Sequence, residues 1–249
     1  MKKKNKSPLI AGFFLVVLAQ SFAEAGSLWQ QETGQLEGTS RLVGRVRLEG
    51  HIKRSAPLKV YKNRDFCGTA VPNETLLVNS EGGLQNVVVI LSGARAEARE
   101  SHLKGLVLDN KKCAFVPHVQ VAPVGSEILL LNSDPILHDV HARLGSETLF
   151  NVGLPTWRQV KKRLTRTGVI RIECEVLHTW MSAYIVVTSS PYFAVTNAKG
   201  EFIIEGVPAG GYEMEVWHEK LGRHQKRVSI TESSTLPIDF VYRLGETGT

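Results

Sequence analysis

Hydrophobic and polar residues alternate along most of the chain in short runs that are interrupted by turn-forming residues. Examples are the runs at 42–48, 127–131 and 183–188. Short runs with a period of two, bounded by glycine, proline and asparagine, are typical of β-strands. The pattern therefore predicts an all-β fold of the sandwich or barrel type, with one surface helix at 94–103, where charged residues cluster.

The first 25 residues have a different character. Four lysines precede an apolar run at 9–18, and Ala23-Glu24-Ala25 follows it. A basic start, an apolar stretch of this length and a small-x-small site predict a secretory signal peptide that is cleaved after Ala25. A membrane-spanning helix needs about 20 apolar residues, and no segment of the sequence reaches that length. We therefore expect a periplasmic or secreted protein without a membrane span, in a compartment where disulfides form.

Length and charge add two limits. The chain has 249 residues, which suits one large domain or two small ones. Its formal net charge of +6 falls to +3 without the first 25 residues, because 26 basic and 23 acidic residues remain. A net charge this small does not indicate the basic surface that binds nucleic acid, so we expect no nucleic-acid partner.

The remainder of the chain divides by composition. We expect a flexible leader at 26–41, an N-terminal β segment at 42–104, a middle domain at 105–188, a second β-sandwich at 189–243 and a tail at 244–249. The segment 189–243 has strong turn chemistry but too few strands for a sandwich. The segment 42–104 supplies the missing strands if the middle domain is inserted into a split sandwich. Simple tandem order is the alternative.

A cluster of soft and imidazole ligands lies in the middle domain. Cys174, His178 and Met181 fall within eight residues at the end of a strand-like run, and His138 follows a turn further upstream. This spacing suits a tight loop between two strands, where three side chains converge on one point. Two imidazoles, one thiolate and a weak axial thioether form the trigonal site of a blue-copper centre. We expect Trp180, inside the same loop, to pack against the site and exclude water.

Other polar residues near these ligands have more than one interpretation. Asn132 and Asp134 are expected to shape the turn before His138 and to support the ligands by hydrogen bonds. His141 follows His138 by three residues, so a regular strand directs the two rings to opposite faces. His118 and His141 are candidates for additional ligation, including a second metal, or for plain packing. For His218 we expect a structural role.

Cys67 and Cys113 remain once Cys174 is assigned to the metal. An even pair of cysteines in an oxidising compartment predicts a disulfide, and two separate buried thiols are the alternative. A bridge across roughly 45 residues contributes on the order of 3–4 kcal/mol in the chain-entropy model.

These residues carry a resemblance to a known family. The segment 113–188 resembles a cupredoxin, a Greek-key β-sandwich, in Phe115-Val116-Pro117, the turn at Gly125, Asn132, Asp134, His138 and the Cys174–His178–Met181 loop. The loop spacing is similar to the second half of the dinuclear purple-copper loop of cytochrome oxidase subunit two. Ile170 occupies the position of the additional cysteine of that loop, so the resemblance implies a mononuclear centre.

A second resemblance covers 191–219. Its pattern is similar to the carboxypeptidase regulatory-like, transthyretin-like β-sandwich module, which is non-catalytic and of immunoglobulin-like architecture. Exported bacterial proteins that join these two parts form a group sometimes labelled methylamine utilization protein. The module's motif is widespread and implies little about function.

The resemblance implies one copper per chain and a one-electron carrier that acts between redox partners, such as a c-type cytochrome. No nucleophile–base motif, phosphate-cradling loop or paired-carboxylate motif stands out, so we expect no enzyme. Two alternatives belong to other classes. The first is a copper chaperone or storage protein that transfers no electrons. The second is a β-sandwich interaction protein with a degenerate metal site.

Overall fold

The computed structural model describes residues 39–50, 55–93, 105–176 and 178–244. The predicted signal peptide, most of the predicted leader, the predicted helix at 94–103 and all but the first residue of the tail lie outside the described residues. Within the described ranges, no helix is both long and apolar enough to cross a membrane.

The regular structure of the described residues is almost entirely β. The first half contains β1 (Thr39–Glu49), β2 (Leu58–Lys59), α1 (Arg64–Cys67), β3 (Ala70–Val71), β4 (Val88–Ser92), β5 (Leu106–Lys111), β6 (Ala114–Val116), β7 (Val119–Pro123), β8 (Glu127–Asn132) and β9 (His138–Leu144). The second half contains β10 (Glu147–Leu154), β11 (Val160–Arg163), β12 (Gly168–Glu173), β13 (Ser182–Thr188), β14 (Phe193–Val195), β15 (Glu201–Pro208), β16 (Gly210–His218), β17 (Gly222–Ile230), β18 (Thr235–Pro237) and β19 (Phe240–Arg243). The predicted all-β sandwich class is confirmed.

Strands β5 to β13 form two sheets, which we call the middle sandwich. One sheet has the order β10-β9-β12-β13-β7 and the other has the order β11-β8-β5-β6. The alternation seen in the sequence places one face of each strand inside. In β8, Ile128, Leu130 and Asn132 are buried, and the residues between them are more exposed. The two inner faces meet in one apolar core, as expected of a face-to-face sandwich.

The remaining long strands form a second pair of sheets, which we call the outer sandwich. One sheet has the order β15-β1-β18, with β19 also paired to β1, and the other has the order β14-β4-β16-β17. Its core combines buried residues of 42–48 and 84–91 with buried residues of 192–242. The chain of the outer sandwich is therefore interrupted by the whole middle sandwich.

The first strand begins earlier than the sequence predicted. Thr39 and Ser40 already pair with β15 in β1, so the predicted leader boundary at 41 is corrected, because these two residues belong to the strand. Ser40 is buried, and its hydroxyl donates a hydrogen bond to the carbonyl of Thr231. Ser40 is buried but polar, so it does not appear as an apolar position in the alternating pattern. The pattern therefore missed this part of the strand.

The two sandwiches share an apolar contact. Val88 and Ile90 of β4 pack with Val119, Val186 and Trp217 in a third buried cluster, while their neighbours on β4 face the core of the outer sandwich. Burial on both faces explains why β4 has a continuous apolar sequence rather than an alternating one.

Residues 55–79, which we call the crossing segment, lie between β1 and β4 and contain β2, α1 and β3. Val60 and Val71 of this segment are buried against the core of the middle sandwich. Cys67, at the end of α1, forms a disulfide with Cys113, and their Cα atoms are 5.7 Å apart. The crossing segment is therefore attached to the edge of the middle sandwich at which the candidate ligands lie.

Candidate metal centre

Three candidate ligands converge at one end of the middle sandwich. His138 is the first residue of β9, Cys174 directly follows β12, and His178 lies in the loop between β12 and β13. Because β9 and β12 are adjacent antiparallel strands, the start of β9 and the end of β12 meet at the same edge of the sheet. All three side chains are buried, with exposures of 0%, 2% and 1% respectively.

The distances between the donor atoms match a trigonal metal site. Cys174 Sγ lies 3.9 Å from His138 Nδ1 and 3.7 Å from His178 Nδ1, and the two Nδ1 atoms are 3.1 Å apart. Bonds of about 2.0 Å to nitrogen and about 2.3 Å to sulfur in a trigonal plane separate the nitrogens by about 3.5 Å and each nitrogen from the sulfur by about 3.7 Å. Among the described residues, these three form the group of histidine, cysteine and carboxylate side chains whose ligand atoms lie close enough to hold a metal, all within 4.8 Å of one another.

Each imidazole is held from its outer side. His138 Nε2 donates to Asp134 Oδ2 at 3.1 Å, and His178 Nε2 donates to Asn63 Oδ1 at 2.8 Å. A neutral imidazole with its proton on Nε2 has a free lone pair on Nδ1. Two such lone pairs face each other here at 3.1 Å, and neutral rings cannot satisfy both without a cation. The residues present therefore fit a metal ion.

The electrostatics keep all three donors uncharged without a metal. Burial raises the pKa of the Cys174 thiol to about 12. Burial also lowers the pKa of His138, against the opposing effect of the Asp134 hydrogen bond, and lowers that of His178, to which His138 adds a repulsive contribution. At neutral pH the imidazoles can accept a metal directly, whereas the thiol must lose a proton when it becomes a ligand.

Trp180 and Met181 follow His178 in the loop between β12 and β13. The backbone N–H of Met181 donates to the carbonyl of His178 at 2.9 Å, and this bond closes the ligand loop. The Met181 side chain is buried. The Trp180 ring lies 5.1 Å from that of His178, and its Nε1 donates to the carbonyl of Cys113. The Trp180 ring therefore packs against the candidate ligand His178.

The turn before His138 is built from the two predicted polar residues. Asn132 Nδ2 donates to the carbonyls of Ile136 and Leu154, and its Oδ1 accepts the N–H of Asp134. Asp134 then accepts a hydrogen bond from His138. These bonds fix the direction in which the first imidazole enters the site.

Two supporting residues have no distinguishing pattern in the sequence. Asp139 is buried, and its Oδ1 accepts the N–H groups of Glu175 and Val176, which follow the candidate thiolate ligand. Asn63 contacts His178 across 115 residues of sequence. The sequence signal that could have identified Asp139 as a supporting residue is its position next to His138. No sequence signal pointed to Asn63.

The other predicted histidines lie elsewhere. His141 Nε2 is 2.8 Å from Thr148 Oγ1, and its Nδ1 is 2.8 Å from Glu175 Oε1. His118 Nδ1 donates to the carbonyl of Ser182 at 3.0 Å, and its Nε2 contacts Glu219 of the outer sandwich. His118 and His141 are not brought into one metal-binding group among the described residues, so the second metal considered from the sequence gains no support from them.

His218 is buried in the outer sandwich. Its Nδ1 accepts the N–H of Lys220, and its ring contacts Tyr242 at a centroid distance of 6.5 Å. Burial, together with the charges of His118 and Lys220, lowers the pKa of His218 to about 4. This neutral, enclosed ring packs as a core residue.

No protein-family model matches the chain, and no curated protein matches it. Similar solved structures include a Cu-containing nitrite reductase from Thermus scotoductus SA-01, with 21% identity and a TM-score of 0.31 over 34% of this chain and 22% of that one. A purple cupredoxin from Nitrosopumilus maritimus shares 20% identity and a TM-score of 0.30 over 33% of this chain and 99% of that one. An amicyanin mutant in its reduced state shares 20% identity and a TM-score of 0.31 over 41% of this chain and 98% of that one.

This chain thus spans about a fifth of the nitrite reductase and nearly all of the two smaller proteins. These structural neighbours are cupredoxins or contain copper, at low identity and partial coverage. The resemblance of 191–219 to the carboxypeptidase regulatory-like module stays a prediction.

Proposed function

We propose that this chain is an exported copper protein that carries single electrons between redox partners. His138, Cys174 and His178 would hold one copper ion, and Met181 would add a weak thioether ligand. The observation that carries the proposal is the convergence of the Cys174 sulfur and the two Nδ1 atoms of His138 and His178 within 3.9 Å in a buried site.

The donor set favours copper over harder cations. Thiolate and thioether are soft ligands that suit Cu(I), and imidazole suits copper in either state. Copper bound there would supply one-electron redox chemistry. Asp134 contacts His138 Nε2, on the outer side of that ring, rather than facing the other donors.

The surrounding residues favour electron transfer over a reaction at the metal. Hydrogen bonds that the two rings donate to Asp134 and Asn63 hold the imidazoles in place, and Asp139 accepts a backbone N–H after Cys174. Donors that are fixed before and after electron transfer keep reorganisation small. Exposures of 2% or less also leave little access for a substrate to these donors.

The proposed location follows from the N-terminal sequence. The predicted signal peptide directs the chain out of the cytoplasm, and a disulfide between Cys67 and Cys113 is compatible with an oxidising compartment. A redox protein such as a c-type cytochrome would be the partner. The apolar contact between the two sandwiches lets the outer sandwich act as a scaffold for the middle one.

Reversible reduction tests the proposal against copper storage or delivery. The exported chain is loaded with one equivalent of copper, reduced, reoxidised and passed over a desalting column after each step. An electron carrier retains its copper through repeated cycles and exchanges electrons rapidly with a soluble cytochrome c. Loss of copper on reduction, or a chain that cannot be reoxidised, would contradict electron transfer and favour a chaperone or storage role.

A further inference from the structure

The outer nitrogen of His178 is covered by a residue from a distant part of the chain. Asn63 Oδ1 lies 2.8 Å from His178 Nε2. Asn63 is exposed, whereas His178 is buried at 1% exposure. Asn63 therefore lies between the imidazole and the solvent.

The backbone around Asn63 fixes the position of its side chain. Asn63 adopts a left-handed conformation with φ of 52° and ψ of 39°, which asparagine tolerates better than most residues. Its carbonyl accepts the N–H groups of Phe66 and Cys67 at 3.0 and 2.8 Å. The short helix α1 is thereby joined to Asn63, and its last residue, Cys67, carries the disulfide.

The other end of the disulfide reaches the second imidazole. The N–H of Cys113 donates to Asp134 Oδ2 at 2.8 Å, and the same oxygen accepts the hydrogen bond from His138 Nε2. The carbonyl of Cys113 also accepts the Trp180 indole N–H. The Cys67–Cys113 bridge therefore connects the outer hydrogen-bond partners of both candidate ligand rings.

We propose that residues 63–67 form a disulfide-held cap on the metal centre, and that Asn63 is a positioning residue for His178. By accepting a hydrogen bond from the Nε2–H group, Asn63 Oδ1 selects the tautomer whose Nδ1 lone pair faces the other donors. The cap also keeps water from the outer nitrogen. This inference rests on the proposed function for the identity of the metal, but the tautomer is a property of the metal-free protein.

The test uses nitrogen NMR of the His178 ring in the metal-free full chain, which distinguishes protonated from unprotonated nitrogens. Asn63→Gly removes the side-chain oxygen and accommodates the left-handed backbone. Asn63→Asp restores an acceptor oxygen at the same place. Asn73→Gly is the matched control, because Asn73 lies in the same crossing segment but bonds only to Ala56 and Thr75 in the described contacts.

We expect the wild-type chain, Asn63→Asp and Asn73→Gly to have the proton on Nε2 alone. Asn63→Gly is expected to give a mixture of tautomers and to bind copper about tenfold more weakly, as is typical when the outer partner of a ligand histidine is lost. A double Cys67→Ser, Cys113→Ser variant is expected to give the same mixture, since the cap then loses its attachment.

A single Nε2–H tautomer and unchanged copper affinity in Asn63→Gly would overturn the proposal. Equal effects in Asn63→Gly and Asn73→Gly would also overturn it, because the loss would then come from the crossing segment as a whole. If the tautomer depends on Asn63 but no variant or wild-type chain binds copper, the positioning role stands and the proposed function fails.

Discussion

Metal binding at this site should release a proton from Cys174. Burial raises the pKa of its thiol to about 12, so nearly all of it is protonated in the metal-free chain at neutral pH. A thiolate is required for ligation. The chain is therefore titrated with metal at several fixed pH values between about 7 and 9.

The expected magnitude follows from the three donors. Below pH 12 the thiol contributes one proton per metal, so the apparent affinity should rise about tenfold for each pH unit, or about 1.4 kcal/mol. His138 and His178 contribute none in this range, because burial lowers the pKa of both from an ordinary value of 6.5. A plot of log affinity against pH should have a slope of about one.

The assay is a titration with Zn(II), which has no redox chemistry, in weakly buffered solution with a pH indicator. Affinity is measured in parallel by competition with a chelator. Cys174→Ser is the control and should release no proton, with an affinity that is independent of pH. Proton release well below one per metal in the wild-type chain, or a flat affinity profile, would show that the thiol is not a ligand or is already ionised.

Three stability predictions can be checked by urea unfolding of the metal-free chain. Replacing both Cys67 and Cys113 by serine should cost about 4 kcal/mol, since the bridge closes a sequence separation of 46 residues; an unchanged midpoint would contradict this. Asp139→Ala should cost about 2 kcal/mol because two N–H groups lose their acceptor, and Asp139→Asn should recover most of that loss. The pKa of His218 is lowered from 6.5 to about 4, so protonation favours the unfolded chain and stability should fall by about 2 kcal/mol from pH 7 to pH 5. His218→Asn should remove that part of the pH dependence, and an equally steep loss in this variant would refute the assignment to His218.

Much of the β architecture could be predicted from local pattern. Period-two alternation identified β8, because one face of this strand is buried and the other is less so. The three-residue spacing of His138 and His141 predicted that a regular strand directs the two rings to opposite faces, and in the structure the two rings have different partners. The close spacing of Cys174 and His178 likewise predicted that they converge.

Contacts between distant segments could not be predicted from that pattern. Asn63 reaches His178 only because the crossing segment folds back over the middle sandwich. His118 was a candidate ligand, but it contacts Glu219 in the outer sandwich. Both outcomes depend on how separate parts of the chain pack, and single-residue patterns contain no information about that packing.

The most direct test of the account is a Cu(II) titration of the chain, followed by visible absorption and electron paramagnetic resonance, with Cys174→Ser alongside. The account predicts an intense thiolate-to-copper charge-transfer band that saturates at one equivalent and is absent in Cys174→Ser. No charge-transfer band at any copper loading, or an identical band in Cys174→Ser, would contradict it.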